Sequence, residues 1–415
     1  MTDVLIKGGT VIDPAQGIHE ILDVAITGGR VEKIAHDLPV AGVTEVIDAS
    51  NKIVTPGLID LHSHVYRGDN HRNPDELSGL AAGVTTLVDA GGTAPGDIEK
   101  FRDVIVSHAK TTVYSFLGCF NRQAPAWEVL ATERIPEVAA ANPDVVKGVK
   151  IHSMPVVNSI HGLEHLKAAK DAAVKAGLPL MLHIGDIGYR ELPQTTIDTT
   201  ARALEILGRG DIVTHLFSPL TGSATDDNLN VLPALQAARD RGVYMDSAIG
   251  DYQFGWRTAE AIVAQGFLPD TIATDIEIHS QMGRSDAPMV ANRRITGARV
   301  ISERTLVEYM AMFFKLGFSL DDIVRMATQT PAQVLNISDS AGSLRPGMPA
   351  DVSVLKMIQG HFKLTDATGE SRIGSQAIVP VVTTKAGVSY PAGAGAHPWG
   401  FSPPHATQAE VAVLG

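Results

Sequence analysis

The chain has 415 residues, of which 44% are hydrophobic, enough to bury one large core and a smaller companion. Its formal net charge is −12 and it has no long basic run, which excludes nucleic acid and membrane surfaces as expected partners. The single cysteine, Cys119, excludes an internal disulfide framework and favours a cytoplasmic location, where thiols stay reduced.

The N-terminal part of the chain has the alternating pattern of β-strands. It lacks the charged segment followed by an apolar segment that is typical of a signal peptide. Gly8-Gly9 and Gly28-Gly29 each interrupt an alternating run, which predicts a hairpin turn at both. Turn-and-strand texture returns in GSLRPGMPADVSVLKM. We therefore predict that residues 1–55 and 341–400 form one small β-sandwich domain, followed by a loose tail over residues 401–415.

Residues 56–340 alternate short apolar runs with amphipathic segments such as HGLEHLKAAKDAAVKAG. Alternating strands and helices favour a parallel sheet, and eight such units, starting at GLIDLHSH, predict a (β/α)8 TIM barrel. An open doubly wound sheet is the alternative, but no G-x-G-x-x-G follows any of these runs. LVEYMAMFFKLGF predicts a buried helix rather than a membrane span, since charged residues interrupt it. The next helix is predicted to begin at Ser319, with Asp322 as a variant capping box, and to run without a break through SLDDIVRMATQTPAQVLN.

Polar residues end the apolar runs of the predicted barrel, where reactive residues of such barrels lie. Residues two apart on a strand share a face, so His62 and His64 both point towards the barrel mouth. Because only 15 of 415 residues are histidine, their recurrence at strand ends favours a metal site over satisfied core histidines. Open positions at such a site suit catalysis. The candidate ligands are His62, His64, Lys150, His183, His215 and Asp275.

Lys150 lies inside an apolar strand, where burial as a cation is costly. Burial lowers the pKa of a lysine and makes its neutral amine nucleophilic. Such an amine can take up CO2 as a carbamate, an anionic ligand able to bridge two metals. A salt bridge and a Schiff-base lysine are the alternatives, and Lys147 is the rival position.

The chain resembles the amidohydrolase superfamily of metal-dependent hydrolases, which includes dihydroorotases and hydantoinases. The matching segments are PGLIDLHSH, GVTTLVDAGG, GVKIH, LPLMLHIG, VTHLF, IATD, ATQTPAQVL and GSLRPGMPADVSVL. They span nearly the whole chain. The stretch DLHSHVYRGDNHRNPDE resembles most a deacetylase-like branch related to dihydroorotases.

This resemblance implies a binuclear site holding two divalent ions, with zinc expected. One ion is bound by His62, His64 and Asp275, and the other by His183 and His215. A carboxylated Lys150 and a hydroxide bridge the ions, the hydroxide attacks a carbonyl, and Asp275 carries the proton to the leaving group. The expected reaction deacylates a small carboxylate-bearing molecule, either an N-acyl amino acid or an acetylated 2-hydroxy acid.

The sequence departs from this branch at one place. Relatives carry an Asp-x-x-His-Gly run after strand seven, whereas a run starting at Asp246 places Ile249-Gly250 there. The expected consequence is a different substrate pocket rather than lost metal binding. Cys119 and Asn121 follow strand three and could line the mouth, although a packing role for Cys119 is favoured, because no activating base lies near it in the sequence.

Loop residues after the strand ends are candidate substrate contacts, and an arginine there could pair with a substrate carboxylate. Solvated loop residues are the alternative interpretation for each. The candidates are Arg67 and His279 first, then Tyr66, His71, Arg72, His152, Tyr189 and Arg190. The competing functions are a cyclic-amide hydrolase, a mononuclear deaminase and a non-catalytic barrel. A homo-oligomer is compatible with the resemblance, because relatives commonly assemble.

Overall fold

The computed structural model describes residues 2–68, 70–71, 73–76, 78–120, 129–186, 193–250, 252–277 and 305–392. The strands in chain order are β1 (Val4–Asp13), β2 (Ile18–Thr27), β3 (Arg30–Ala35), β4 (Glu45–Asp48), β5 (Ile53–Pro56), β6 (Leu58–His64), β7 (Tyr66–Arg67), β8 (Asn70–His71), β9 (Val84–Ala90), β10 (Thr112–Gly118), β11 (Val146–His152), β12 (Leu180–His183), β13 (Ile212–Thr214), β14 (Tyr244–Asp246), β15 (Ile276–Glu277), β16 (Val352–Thr365), β17 (Ser371–Lys385) and β18 (Val388–Pro391).

The helices lie mostly between the strands of the middle region. They are α1 (Ile98–Phe101), α2 (Ile135–Ala141), α3 (Pro155–His161), α4 (Glu164–Ala176), α5 (Pro193–Leu204), α6 (Pro233–Asp240), α7 (Trp256–Ala264), α8 (Leu306–Lys315), α9 (Leu320–Ala327) and α10 (Gln329–Val334). None of the helices that the structure describes is long and apolar enough to cross a bilayer.

A parallel sheet of eight strands, in the order β14-β13-β12-β11-β10-β9-β6-β15, forms the centre of the molecule. All residues of β6 and β9 are buried, as expected for parallel strands covered on both faces. The segment 271–277 joins the two edges, because the Ile249 N–H donates to the Ala273 carbonyl at 3.2 Å and the Asp275 N–H to the His62 carbonyl at 2.7 Å. Pairing therefore continues around a ring, and the predicted α/β fold with a parallel sheet is confirmed.

A second sheet of eight strands combines both chain ends in the order β18-β17-β16-β5-β1-β2-β3, with β4 also paired to β1. The ends meet where β5 pairs antiparallel with β16, from Ile53↔Leu355 to Pro56↔Val352. The sheet has its own apolar cluster, which includes Val24 and Val354. The predicted sandwich arrangement and its domain limits remain predictions. The predicted tail over residues 401–415 lies outside the described residues.

One of the two predicted hairpin turns is wrong. Gly28-Gly29 does separate β2 from β3, but Gly8-Gly9 lies within β1, where the pairing with β2 shifts register between Ile6 and Gly9. A Cβ on Gly9 would lie 2.5 Å from Val54 Cγ2 and 2.8 Å from Ala49 Cβ. Glycine is therefore used here for close packing inside a bulged strand rather than for a turn.

The two predicted helices after residue 305 are present. α8 is the predicted buried helix, and Ser319 caps α9 by accepting a hydrogen bond from the Asp322 N–H at 3.2 Å. The single helix predicted from Ser319 is nevertheless divided, because Thr328 (φ −137°, ψ −79°) separates α9 from α10. Pro331 explains the break, since its ring would clash with the carbonyl of Ala327 if the helix continued.

Candidate metal centre

The carboxyl ends of the central strands bring together the six predicted ligands. The structure places His62 and His64 at the end of β6, Lys150 in β11 and His183 at the end of β12. His215 follows β13 directly and Asp275 precedes β15 directly, each with a positive φ, of 75° and 53° respectively. The left-handed backbone at these two positions is uncommon outside glycine and is typical of functional sites.

Aromatic ring distances show that the histidines form one continuous cluster. The ring centroids lie 5.3 Å apart for His62 and His64, 5.1 Å for His62 and His215, and 4.3 Å for His183 and His215. The carboxylate Oδ1 of Asp275 lies 3.0 Å from His64 Nε2 and 3.2 Å from His62 Nε2. Four imidazoles and a carboxylate therefore converge in a largely buried space.

Backbone carbonyls indicate which nitrogen of two imidazoles is available as a ligand. His215 Nδ1 lies 3.0 Å from the Ala248 carbonyl, and His183 Nε2 lies 3.1 Å from the Gly185 carbonyl. Because a carbonyl only accepts, these nitrogens carry the protons and donate. The lone pairs remain on His215 Nε2 and His183 Nδ1, as a metal site with outer-shell partners requires.

The donor set fits a divalent metal ion. One ligand atom each from His62, His215 and Asp275 lie within 4.8 Å of one another. His215 Nε2 is buried and has no hydrogen-bond partner among the described residues, an arrangement that is costly unless a ligand completes it. Gly250 leaves room for the carboxylate, since a Cβ there would lie 2.5 Å from Asp275 Oδ2.

The protonation preferences of the metal-free cluster follow from burial and charge. Burial, with the Lys150 charge next, lowers the pKa of His183 to about 3. Burial raises the pKa of Asp275, but the His62 charge and hydrogen bonds from His62 and His64 outweigh it, so the pKa lies well below its usual value. A neutral imidazole and an ionised carboxylate are the forms that bind metal ions.

His62 differs from the other histidines of the cluster. Burial and the Lys150 charge lower the pKa of His62, whereas Asp275 and Asp246 raise it, and the net shift is upward. A cation bound at this cluster would therefore compete with a proton for His62 more than for His183.

Lys150 is buried, with 1% of its surface exposed, and its Nζ lies 2.9 Å from His62 Nε2 and 3.4 Å from Met181 Sδ. The rival, Lys147, lies away from the cluster, where its Nζ donates to the Pro143 carbonyl at 2.8 Å. Gly91 packs against the Lys150 stem, because a Cβ there would lie 2.7 Å from Lys150 Cγ. Of the two lysines, Lys150 lies at the cluster and Lys147 does not.

Two buried carboxylates that the sequence interpretation did not assign support the cluster. Asp60 accepts hydrogen bonds from the N–H groups of His62 (3.3 Å) and Thr274 (3.0 Å) and from Thr274 Oγ1 (2.6 Å). It therefore ties the ligand-bearing β6 to the segment that carries Asp275, and burial raises its pKa to about 6. Asp246 is the second, and it accepts from Thr214. The sequence signal for Asp60 was a polar side chain inside an apolar run, and Asp246 stood out only as the start of the run that ends in Ile249-Gly250.

The predicted substrate contacts are found in different environments. His152 joins the cluster, with its ring 4.9 Å from that of His183. Tyr66 is fully buried and packs against Phe101 at 5.5 Å, Arg67 is half-buried, and His71 is exposed opposite Tyr66 in the β7–β8 hairpin. Arg72, Asn121, Tyr189, Arg190 and His279 lie outside the described residues.

Two further positions have a packing environment. Cys119 is fully buried, and burial raises the pKa of its thiol, which opposes a nucleophilic role. Ile249, at the position where the resemblance implied a histidine, is 1% exposed and belongs to the apolar core. The neighbouring Gly250 is the part of that run that contacts the cluster.

Comparisons with known proteins agree with this architecture. Residues 53–379 match the model of the Amidohydrolase family. A deacetylase of Agrobacterium fabrum is 28% identical over 84% of this chain and 81% of its own length. A dihydroorotase of Geobacter metallireducens is 27% identical over 85% of this chain and 89% of its own length. A solved structure described as an adenine deaminase is similar in fold, with a TM-score of 0.79 and 23% identity over 94% of this chain and 100% of that one.

Proposed function

Because the chain belongs to the Amidohydrolase family and is a hydrolytic enzyme, we propose that it is a binuclear metal-dependent deacylase. Its substrate is a small carboxylate-bearing molecule with an amide or ester bond, either an N-acyl amino acid or an acetylated 2-hydroxy acid. One observation supports this most. His62, His215 and Asp275 converge, and the buried Nε2 of His215 lacks a hydrogen-bond partner among the described residues.

Members of this family typically depend on divalent metals. We assign one ion to His62, His64 and Asp275 and a second to His183 and His215, with zinc as the expected metal. Ions held by these residues would supply Lewis acidity to a carbonyl and would lower the pKa of a coordinated water.

Asp275 is the proposed general acid/base. Its Oδ1 lies 3.0 Å from His64 Nε2, on the side where both groups would hold an ion, so we assign the proton transfer to Oδ2, which lies beside Gly250. Its low pKa keeps it ionised near neutral pH, so it accepts the proton of the attacking water and delivers it to the leaving group.

We propose that Lys150 reacts with CO2 and provides the bridging ligand. The amine is buried among His62 and Met181, where the charged form is disfavoured and the neutral form is nucleophilic. A carbamate at Nζ would supply two oxygens and one negative charge, which would offset part of the charge of two cations in this buried space.

Substrate recognition is proposed to use Arg67 and His279, followed by His152, Tyr66, His71, Tyr189 and Arg190. The guanidinium of Arg67, three residues after the end of β6, could bind the substrate carboxylate through two parallel hydrogen bonds. The deacetylase name of the Agrobacterium fabrum relative supports an acetyl group as the acyl part.

A direct test measures acetate release from a panel of N-acetyl amino acids and O-acetylated 2-hydroxy acids, using full-length protein purified without chelator and supplied with zinc. We expect turnover of at least one compound, and Asp275→Asn should lower kcat about 100-fold or more. Asp144→Asn, an exposed aspartate paired with Arg102 at 2.9 Å, is the matched control. Absence of hydrolysis across the panel by metal-loaded protein would contradict the deacylase proposal.

A cyclic-amide hydrolase is the second candidate, and the dihydroorotase named among the relatives favours it. It would use the same metal ligands, so dihydroorotate and hydantoins belong in the same panel. Ring opening of these compounds without acetate release from the others would select this alternative.

A deaminase ranks below both, because its mononuclear chemistry does not need a bridging lysine. A non-catalytic barrel ranks last, since all six candidate ligand positions hold a residue that can bind a metal ion.

We also propose that residues 1–55 and 341–400 form a separate β-sandwich domain, which the pairing of β5 with β16 supports. A cytoplasmic location and a homo-oligomer complete the proposal.

A further inference from the structure

Asp246, at the end of β14, is a fully buried carboxylate next to the candidate metal centre. Thr214 Oγ1 donates to its Oδ2 at 2.7 Å, and Thr271 Oγ1 donates to its Oδ1 at 2.7 Å. His62 Nδ1 lies 3.6 Å from the same Oδ2. The shortest hydrogen-bonded route from Asp246 to the metal cluster therefore passes through the Thr214 hydroxyl.

The direction of these hydrogen bonds follows from simple counting. The Thr214 hydroxyl carries one proton, and this proton is donated to Asp246 Oδ2. The hydroxyl then presents a lone pair to His62 Nδ1, 2.9 Å away. His62 must donate from Nδ1, whether the ring is neutral or protonated. Its other nitrogen, Nε2, lies 3.2 Å from Asp275 Oδ1 and 2.9 Å from Lys150 Nζ, and it is the nitrogen that would bind a metal ion.

We propose that Thr214 and Asp246 are positioning residues that fix His62 as the Nδ1-protonated tautomer and thereby set the affinity of the centre for its metal. This inference rests on the proposed function, because it takes His62 as a metal ligand. The tautomers of His183 and His215 depend on backbone carbonyls, whereas that of His62 depends on side chains. It is therefore open to a test by substitution.

A purely structural role for Thr214 is the competing explanation. In that case its hydroxyl would serve only to satisfy the buried Asp246 carboxylate, and its loss would lower stability without a specific effect on metal binding. Thr383 provides a matched comparison, because it is also fully buried and its Oγ1 donates to the Leu80 carbonyl at 2.6 Å, remote from the cluster.

The experiment measures the apparent Zn²⁺ dissociation constant of the full-length protein by competition with a coloured chelator, together with the unfolding temperature of the metal-free form. We expect Thr214→Val to weaken Zn²⁺ binding about 10- to 100-fold, the usual range for loss of an outer-shell partner. Thr214→Ser keeps the hydroxyl and should restore binding to within about threefold of the wild type. Thr383→Val should lower the unfolding temperature but keep the Zn²⁺ affinity.

The outcomes separate this inference from the proposed function. Wild-type protein that takes up no Zn²⁺ would overturn both. Wild-type protein that binds Zn²⁺, with Thr214→Val equally tight or with Thr214→Ser as weak as Thr214→Val, would overturn the positioning role alone. An equal loss of affinity in Thr383→Val would do the same. If Thr214→Val does not fold, Asp246→Asn replaces it, and unchanged Zn²⁺ affinity in that variant contradicts the inference.

Discussion

At the residue scale, the position of Asp275 depends on the absence of a side chain at residue 250. Gly250 has φ +50°, and a Cβ there would lie 2.5 Å from Asp275 Oδ2. We expect Gly250→Ala to displace this carboxylate and to weaken Zn²⁺ binding about tenfold or more. Gly266→Ala is the matched control, because Gly266 has φ +74° but open space around it. Equal Zn²⁺ affinity of Gly250→Ala and the wild type would contradict the claim that Asp275 needs the space at residue 250.

The buried imidazole of His183 makes a prediction about acid stability. Its pKa is about 3 in the folded state and 6.5 in the unfolded state. Between these two pH values the unfolded state therefore binds a proton that the folded state does not bind. The free energy of unfolding of metal-free protein should therefore fall as the pH drops from about 6.5 towards 3. Urea unfolding at several pH values measures this, and His183→Gln should reduce the loss. The same acid loss in the variant would show that other groups cause it.

The clustering of the six candidate ligands could be predicted from the sequence because they lie at or near the ends of short apolar runs, and strand ends meet at one edge of a parallel sheet. Asp60 and Thr214 could not be assigned, since a polar residue within a buried strand has many possible partners until the strands are paired. Gly250 was noticed only as part of a departure from the expected run. Its use became visible when the structure placed it against Asp275.

At the element scale, α7 is capped by a residue distant in sequence. Gly255, which precedes the helix, offers no capping side chain, and the Trp256 N–H donates instead to Asp366 Oδ2 at 2.7 Å. The other oxygen of Asp366 accepts from the N–H groups of Thr368 (2.8 Å) and Glu370 (2.9 Å) in the β16–β17 turn. One carboxylate therefore fastens a helix of the central region to the terminal sheet.

We expect Asp366→Ala to lower the free energy of unfolding by about 1–3 kcal/mol, because the buried Trp256 N–H and two partly buried N–H groups lose their acceptor. Zn²⁺ affinity should stay unchanged, since α7 contributes no candidate ligand. Chemical denaturation measures the effect, with Asp240→Ala, an exposed aspartate that accepts from Gln236 at 2.8 Å, as the control. Asp366→Ala as stable as Asp240→Ala would show that the cap contributes little.

Elements were predictable where a local rule determined them. The capping pattern at Ser319 and the interrupted apolar run of α8 each predicted the helix that is present. The predicted turn at Gly8-Gly9 is absent because a tertiary contact determines the backbone there. Gly9 packs against Val54 and Ala49 inside β1. The division of α9 from α10 could have been predicted from Pro331, because a proline inside a helix clashes with the carbonyl four residues before it.

At the scale of the whole molecule, two sheets are joined by a short connection. β5 belongs to the terminal sheet and β6, which carries His62 and His64, begins the parallel sheet directly after it. Ser353 of the terminal sheet bridges the two, since its Oγ accepts from the Leu58 N–H at 3.2 Å and donates to the Gly83 carbonyl at 2.6 Å. The terminal sheet therefore supports the strand on which the metal site is built.

The most direct test of the account is the metal content of the chain, measured by elemental analysis on protein purified without chelator and dialysed in bicarbonate. We expect about two divalent ions per chain in the wild type, a marked loss in Lys150→Ala, and no loss in Lys147→Ala, whose lysine lies away from the cluster. About one ion per chain, insensitive to Lys150, would contradict the carbamate-bridged pair. Folded protein that holds no metal and takes up neither zinc nor manganese would contradict metal-dependent hydrolysis altogether.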